Sequence, residues 1–196
     1  DSIRRARLAD FTVQNFIEET ASESPAPGGG SVAAAVGALG AALATMVANL
    51  SAHKRGWEDR WEEFSDWAEK GKRLHVELTR LIDDDTAAFN ALMASFGLPQ
   101  GSDADKIARK AAIQTATRRA IETPFHVMET ALASLSVIRA MAEIGNPNSV
   151  SDAGVGALCA RTAVLGAYLN VKINAPGLDD KAFAADILAR AQKIRS

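Results

Sequence analysis

At 196 residues the chain is long enough to fill one core, and no low-complexity linker divides it, so a single domain over 1–196 is expected. Its 22 basic residues are scattered among 24 acidic ones for a net charge of −2, which lacks the basic footprint of a nucleic-acid binder. One cysteine, Cys159, excludes an internal disulfide and a cysteine-built zinc cage, and a reducing cytoplasm fits best.

The N-terminus lacks the basic, apolar and small-residue succession of a signal peptide, and Asp1 is not an initiator Met, so the chain reads as trimmed or cut from something longer. Phe11, Phe16 and Ile17 predict a first helix ending near Ser22, with a turn from Ser24 to Gly30. Pro27, Gly28, Gly29, Gly30 and Ser31 then open an alanine- and glycine-rich helix that continues to Leu50. The glycines leave its backbone bare for close approach, Ser31 is expected to cap the first free amides, and such amides attract anions.

Gly30, Ala33, Gly37, Ala41, Ala44 and Ala48 recur at helical spacing as a small-residue ridge that admits a neighbouring helix closely. Val32, Val36, Leu39, Leu43, Met46 and Leu50 recur on another face, which is expected to fill a core. Tight packing alone would also explain the pattern. The stretch is almost long enough to span a bilayer, but its hydrophobicity comes largely from Ala and Gly, it contains Thr45 and Asn49, and the glycines before it would leave backbone unsatisfied in lipid. A buried central helix explains it better than a membrane span.

After the polar joint of His53, Lys54, Arg55 and Gly56, helical phase runs from Trp57, Trp61 and Phe64 through Leu74, Leu78, Leu81 and Ile82 to Phe89 and Leu92, as one long helix stopped by Gly97 and Pro99. Asp103 is expected to cap a fourth helix through Ile121, and Pro124 marks a kink or restart before a stretch from Phe125 to Ile144. Gly145, Asn146, Pro147 and Asn148 form a turn. Ser149 or Ser151 then caps a helix running to about Asn174, with Asp152 in its first turn, and Asp179 or Asp180 begins a short last helix. No stretch alternates with the period of a strand, so the fold class is all-α, an antiparallel bundle of long helices.

Several polar residues break the pattern. Asp83, Asp84 and Asp85 are consecutive, yet successive helix positions point about 100° apart, so they cannot share a face. The apolar stripe of Leu74, Leu78 and Ile82 demands Asp85 as its next member before Phe89. A carboxylate there loses hydration and its pKa rises, which marks either a proton-transfer group or a buried Asp bonded to a helix end or an Arg. Gly156, Ala160, Ala163 and Ala167 form a second small stripe that continues into Asn170 and Asn174, two amides that either bridge helices or read a polar ligand. Lys54 and Arg55 suit the terminal carbonyls of the alanine-rich helix or an anion. His53, His75 and His126 lie too far apart in sequence to suggest a metal site. The tryptophans suggest core or oligomer contact.

The Pro-Gly-Gly-Gly-Ser entry, the segment from Asp85 to Phe89, the turn from Gly145 to Asp152 and the pair Asn170 and Asn174 occur in one order that resembles the cyclodeaminase/cyclohydrolase family of folate enzymes. The resemblance covers nearly the whole chain and is greatest to the C-terminal half of formiminotransferase-cyclodeaminases, with monofunctional methenyltetrahydrofolate cyclohydrolases as near relatives. It implies an all-helical homodimer or higher oligomer, assembled by helix packing, that acts on a tetrahydrofolate one-carbon adduct without metal or nucleotide. The activity implied is a formimidoyltetrahydrofolate cyclodeaminase of histidine degradation, releasing ammonia as 5-formiminotetrahydrofolate becomes 5,10-methenyltetrahydrofolate. Hydrolysis of the methenyl bridge and a non-catalytic helical oligomerisation module are the alternatives. The resemblance places the catalytic aspartate among Asp83, Asp84 and Asp85, and phase selects Asp85. It further implies Lys54, Arg55 and the amides of Gly28, Gly29, Gly30 and Ser31 as contacts for an anionic, polyglutamylated folate tail. Asp152, Asn170 or Asn174 would read the pterin edge, and a formiminotransferase domain could share the native chain.

Overall fold

The computed structural model describes residues 7–196, so the reading of Asp1 as a cut end lies outside the described residues. These residues form six α-helices, α1 (Val13–Ala21), α2 (Gly29–Ala52), α3 (Trp61–Phe96), α4 (Asp103–Ile144), α5 (Val150–Asn174) and α6 (Lys181–Arg195), with 3-10 turns before or between several of them and no strand. The long helices α2, α3, α4 and α5 pack antiparallel in chain order, and α5 also returns to run antiparallel against α2.

The middle of the bundle is built by subtraction. Gly30, Ala33, Gly37, Ala41, Ala44 and Ala48 are all buried, as the small ridge predicts. A Cβ on Gly40 would stand 2.8 Å from the Gly156 carbonyl oxygen and 2.9 Å from Cys159 Cβ, so α2 and α5 meet almost backbone to backbone where both small stripes face each other. Bulk comes from the other helices. Leu78, Leu81, Ile82, Ile121, Phe125 and Val171 fill one core around the N-terminal half of α2, and Phe64, Val137, Ile138 and Met141 fill another around its C-terminal half.

The large-residue face of α2 does not fill a core, contrary to expectation. Leu39 is 63% exposed and Met46 and Leu50 also face outward, because the close approach on the small side leaves no room for a second layer of large groups inside. Helix ends differ in detail too. Ser102, not Asp103, caps α4, and it forms a reciprocal capping box with Asp105. Of the two aspartates expected to begin α6, Asp180 caps it by accepting from the Phe183 amide. A 3-10 turn over Glu58–Arg60 precedes α3, so Trp57 stands outside the long helix and stacks on Phe64 at 5.4 Å.

Pro124 neither stops nor restarts its helix. α4 continues through it for 42 residues. A proline lacks the N–H that would bond the carbonyl four residues back, which here belongs to Ala120. That carbonyl accepts instead from Asn174 Nδ2 of α5 at 3.0 Å. A side chain from one helix thus replaces the backbone donor missing from another.

Candidate functional site

The three consecutive aspartates part as their helical phase requires. Asp83 accepts from the Leu8 amide at 2.7 Å and the Ala9 amide at 3.3 Å, tying the segment before α1 to α3. Asp84 pairs with Arg80 one turn earlier on the outer surface. Asp85 alone points to the N-terminus of α2, where Ser31 Oγ donates to its Oδ2 at 3.0 Å.

This contact needs glycine. A Cβ on Gly30 would collide with the Asp85 carboxylate, so the bare helix entry is shaped to admit that side chain. Ser31 does not cap α2 as expected. The N-cap position is Gly28, which has no side chain to offer, and Ser31 lies inside the first turn with its hydroxyl turned to Asp85 and Thr86. The anion at this helix entry is therefore the protein's own carboxylate, supplied from α3. Burial pushes the Asp85 pKa above its ordinary value, while the Ser31 hydroxyl and amide oppose that shift.

Beside Asp85 lies a cavity of about 180 Å³, walled by Gly28, Gly29, Phe89, Leu92, Asn170 and Asn174 among others. Asn170 Nδ2 donates to the Gly166 carbonyl at 3.0 Å and Asn174 Nδ2 to that of Ala120. Both amides use a nitrogen on the protein, and in an Asn side chain that leaves the amide oxygen to accept. A half-buried carboxylate, two amides and bare backbone thus line one hollow with an apolar floor.

Other candidates do not reach it. Lys54 and Arg55 follow the C-terminus of α2, and the 24 residues of that helix, at about 1.5 Å each, separate them from Asp85 by about 35 Å within one chain. Lys54 lies 4.2 Å over the Trp57 ring. Asp152 sits in the first turn of α5, about 27 Å along that helix from Asn170. Within one chain, then, Asp152 lies away from the cavity beside Asp85 while Asn170 and Asn174 line it, and Lys54 and Arg55, expected at the folate tail, stand at the opposite end of α2. His53 and His75 come together on a shallow hollow of about 430 Å³, while Nε2 of His126 meets Glu77 at 2.7 Å.

Sequence reasoning missed Thr86, Phe89 and Leu92 as site residues. The last two continue the apolar stripe past Asp85, and that phase could have placed them. Thr86 gives no such signal. Its hydroxyl lies 2.9 Å from Ser31 Oγ, a pairing made only when α2 docks on α3. Thr86 also borders a second cavity of about 730 Å³, which shares Pro25 and Ala26 with the first and carries Arg7, Glu19 and Asp83.

The family profile described as formiminotransferase-cyclodeaminase matches residues 12–193. A methenyltetrahydrofolate cyclohydrolase of Methylorubrum extorquens is 41% identical over 93% of this chain and 88% of its own length. A formimidoyltransferase-cyclodeaminase of Rattus norvegicus is 35% identical over 93% of this chain, which spans 34% of that longer protein. The crystal structure of a formiminotetrahydrofolate cyclodeaminase from Thermotoga maritima superposes with a TM-score of 0.83 at 26% identity, covering 96% of this chain and 92% of that one. With its helical fold, its glycine-bared α2 entry and a match over nearly its full length, the chain belongs to the formiminotransferase-cyclodeaminase family.

Proposed function

We propose that the protein, as one domain acting without metal or nucleotide in the cytoplasm, is a formimidoyltetrahydrofolate cyclodeaminase with Asp85 as its catalytic residue. The observation that carries this reading is the placement of Asp85: a half-buried carboxylate, seated on Gly30 and facing a cavity. In the substrate, N10 attacks the amidine carbon, the carbon–nitrogen bond to the amidine nitrogen breaks, and ammonia leaves a cationic 5,10-methenyl bridge. Asp85 takes the N10 proton and delivers a proton to the departing nitrogen, and its negative charge stabilises the bridge. Desolvation favours the protonated carboxyl, which suits a group that must hold a proton between two nitrogens.

The cavity of about 180 Å³ is smaller than the roughly 300–1,000 Å³ of sites that enclose a whole drug-sized ligand. It takes the ring end of the folate and leaves the aminobenzoyl-glutamate end outside. Gly28 and Gly29 let the ring approach the backbone, and the Asn170 and Asn174 amide oxygens accept from its amino and N–H edge. Leu39 on α2 and Leu158, Leu169 and Ile173 on α5 are large apolar side chains left exposed, which supports assembly into a homodimer by helix packing.

Hydrolysis of the methenyl bridge is favoured by one observation, the 41% identity to a cyclohydrolase matched over 88% of its length. The same carboxylate would then activate water at the bridge carbon. Purified protein given 5-formiminotetrahydrofolate is expected to release ammonia as near-ultraviolet absorbance of the methenyl product grows. Rapid loss of that absorbance from added methenyltetrahydrofolate, with no ammonia from the formimino substrate, would establish the hydrolase instead.

A further inference from the structure

Neither reaction balances on Asp85 alone. Written from the neutral amidine, ring closure gives a cationic bridge and ammonia and takes up one proton, whereas opening the bridge with water gives 10-formyltetrahydrofolate and releases one. A folate ring seated in the cavity would stand between Asp85 and bulk water on that side, so the proton needs another route.

Two hydroxyls supply one. Ser31 Oγ donates to Asp85 Oδ2 at 3.0 Å and lies 2.9 Å from Thr86 Oγ1. Ser31 is 0% exposed, so water does not replace it in this role. A hydroxyl has a single hydrogen; when Asp85 is ionised, that of Ser31 goes to the carboxylate, and Thr86 must donate to Ser31. Thr86 departs from local habit. Thr45, Thr79 and Thr130 donate to the carbonyl four residues back in their own helices, as does buried Ser51, while Thr86, deep within α3, pairs with Ser31 across the helix interface. Thr86 also borders both cavities, and in the larger one Arg7 pairs with Asp83 at 3.8 Å while Glu19 leaves one net negative charge, making a weakly acidic groove that favours protons.

We propose that Ser31 and Thr86 form a relay carrying one proton per turnover between Asp85 and this acidic groove while folate occupies the catalytic cavity. The proposal rests on Asp85 as the proton carrier. Inward, a hydronium of the groove gives a proton to Thr86 Oγ1, Thr86 passes its own to Ser31 Oγ, and Ser31 passes its own to Asp85 Oδ2. Three O–H bonds break and three form, the hydronium becomes water, and neither hydroxyl keeps a charge. Rotation of the two hydroxyls resets the chain, and the outward direction is the reverse. Because every step runs through hydroxyl oxygens, the relay serves deamination and hydrolysis alike.

Thr86→Val preserves shape and removes the hydroxyl, and Thr86→Ser restores it. In this protein, Thr86→Val is expected to lower kcat about tenfold, less than the roughly 10²–10⁴-fold that a general acid–base group itself supplies, with KM unchanged. Formate in the buffer and Thr86→Ser are each expected to recover the rate. In mixtures of light and heavy water, the wild-type rate should depend on deuterium fraction through several protons and that of Thr86→Val through fewer. Ser31→Ala, which breaks the relay at its other end, should reproduce the loss, with thermal melts reporting folding of each variant. An active wild type whose Thr86→Val variant keeps the same kcat and deuterium dependence overturns the relay alone. The same holds if the loss persists in both formate and Thr86→Ser. A folded wild type that turns over neither folate substrate overturns the Asp85 reading and the relay with it.

Discussion

The two ends of α2 carry the same kinds of sequence signal and become different things. At the N-terminal end, missing side chains leave space: Gly30 admits the Asp85 carboxylate, and Gly28 and Gly29 border an open cavity. At the C-terminal end, side chains fill the space. Lys54 and Arg60 lie over the Trp57 ring, and Trp57 stacks on buried Phe64. A cation over an aromatic face is a self-contained arrangement, whereas a half-buried carboxylate held by one serine is not. Polar groups thus mark a candidate site where the surrounding packing leaves both room and unspent hydrogen-bonding capacity.

The largest effect should come from the charge at the open end. Asp85→Asn is expected to lower turnover by about 10²-fold or more, the range general acid–base groups supply, with the fold intact by circular dichroism. Because the folded state holds the Asp85 proton more tightly than the unfolded chain does, its contribution to stability is present at low pH. It falls as pH rises from the ordinary value of 3.8 through the raised one. Asp85→Asn should remove that decline, so its melting temperature at neutral pH should equal or exceed that of wild type. A neutral-pH melt well below wild type would show Asp85 to be a structural group.

Next comes the glycine that makes the room. Gly30→Ala drives a methyl into the Asp85 carboxylate and should cost about 1–3 kcal/mol by overpacking, along with most activity. Gly154→Ala, on α5 where a Cβ meets nothing within 4 Å, should instead stabilise by about 0.5–1 kcal/mol. Equal effects in denaturant titrations would erase the distinction between a shaped entry and ordinary helix glycine.

The Pro124 repair offers a third test. Asn174→Ala leaves the Ala120 carbonyl without its donor and should cost about 1–3 kcal/mol. In a Pro124→Ala background the backbone amide returns and that cost should shrink, so a double-mutant cycle should show strong coupling. Additive losses would mean that the two sites are independent.

Lys54→Ala and Arg55→Ala should change KM by less than about threefold if each pocket is served by its own chain, since electrostatic influence at such a separation is screened. A tenfold rise in KM would instead place these cations at a partner chain's pocket. The smallest effect concerns Glu77, whose pKa is lowered to about 2, chiefly by its hydrogen bond to Arg80 and then by His126. Its contribution is present above the ordinary value of 4.5 and lost as pH falls toward 2. The pair is partly exposed, so Glu77→Gln should cost under about 1 kcal/mol at neutral pH and nothing once Glu77 is protonated.

Helical phase was legible because it is local. Spacing along α3 separates Asp83, Asp84 and Asp85, and the small ridge of α2 is buried as its period requires. Phase cannot say which face of a helix meets a neighbour when both are apolar. The large face of α2 was therefore misassigned to the core. Nor does it measure distance between candidates on different elements, so the separation of Lys54, Arg55 and Asp152 from Asp85 within one chain is not legible in it.

By itself the amino-acid sequence determined the helical elements, the antiparallel bundle and the one carboxylate set on an apolar stripe, because these follow from periodicity, glycine, proline and short connections. Only the tertiary structure decided that Asp85 docks on Gly30, that Asn174 answers the carbonyl freed by Pro124, and that Ser31 meets Thr86. Each of those contacts joins residues more than fifty positions apart. Such pairings are set by how closely the helices pack and at what register, and no local pattern in the chain encodes either.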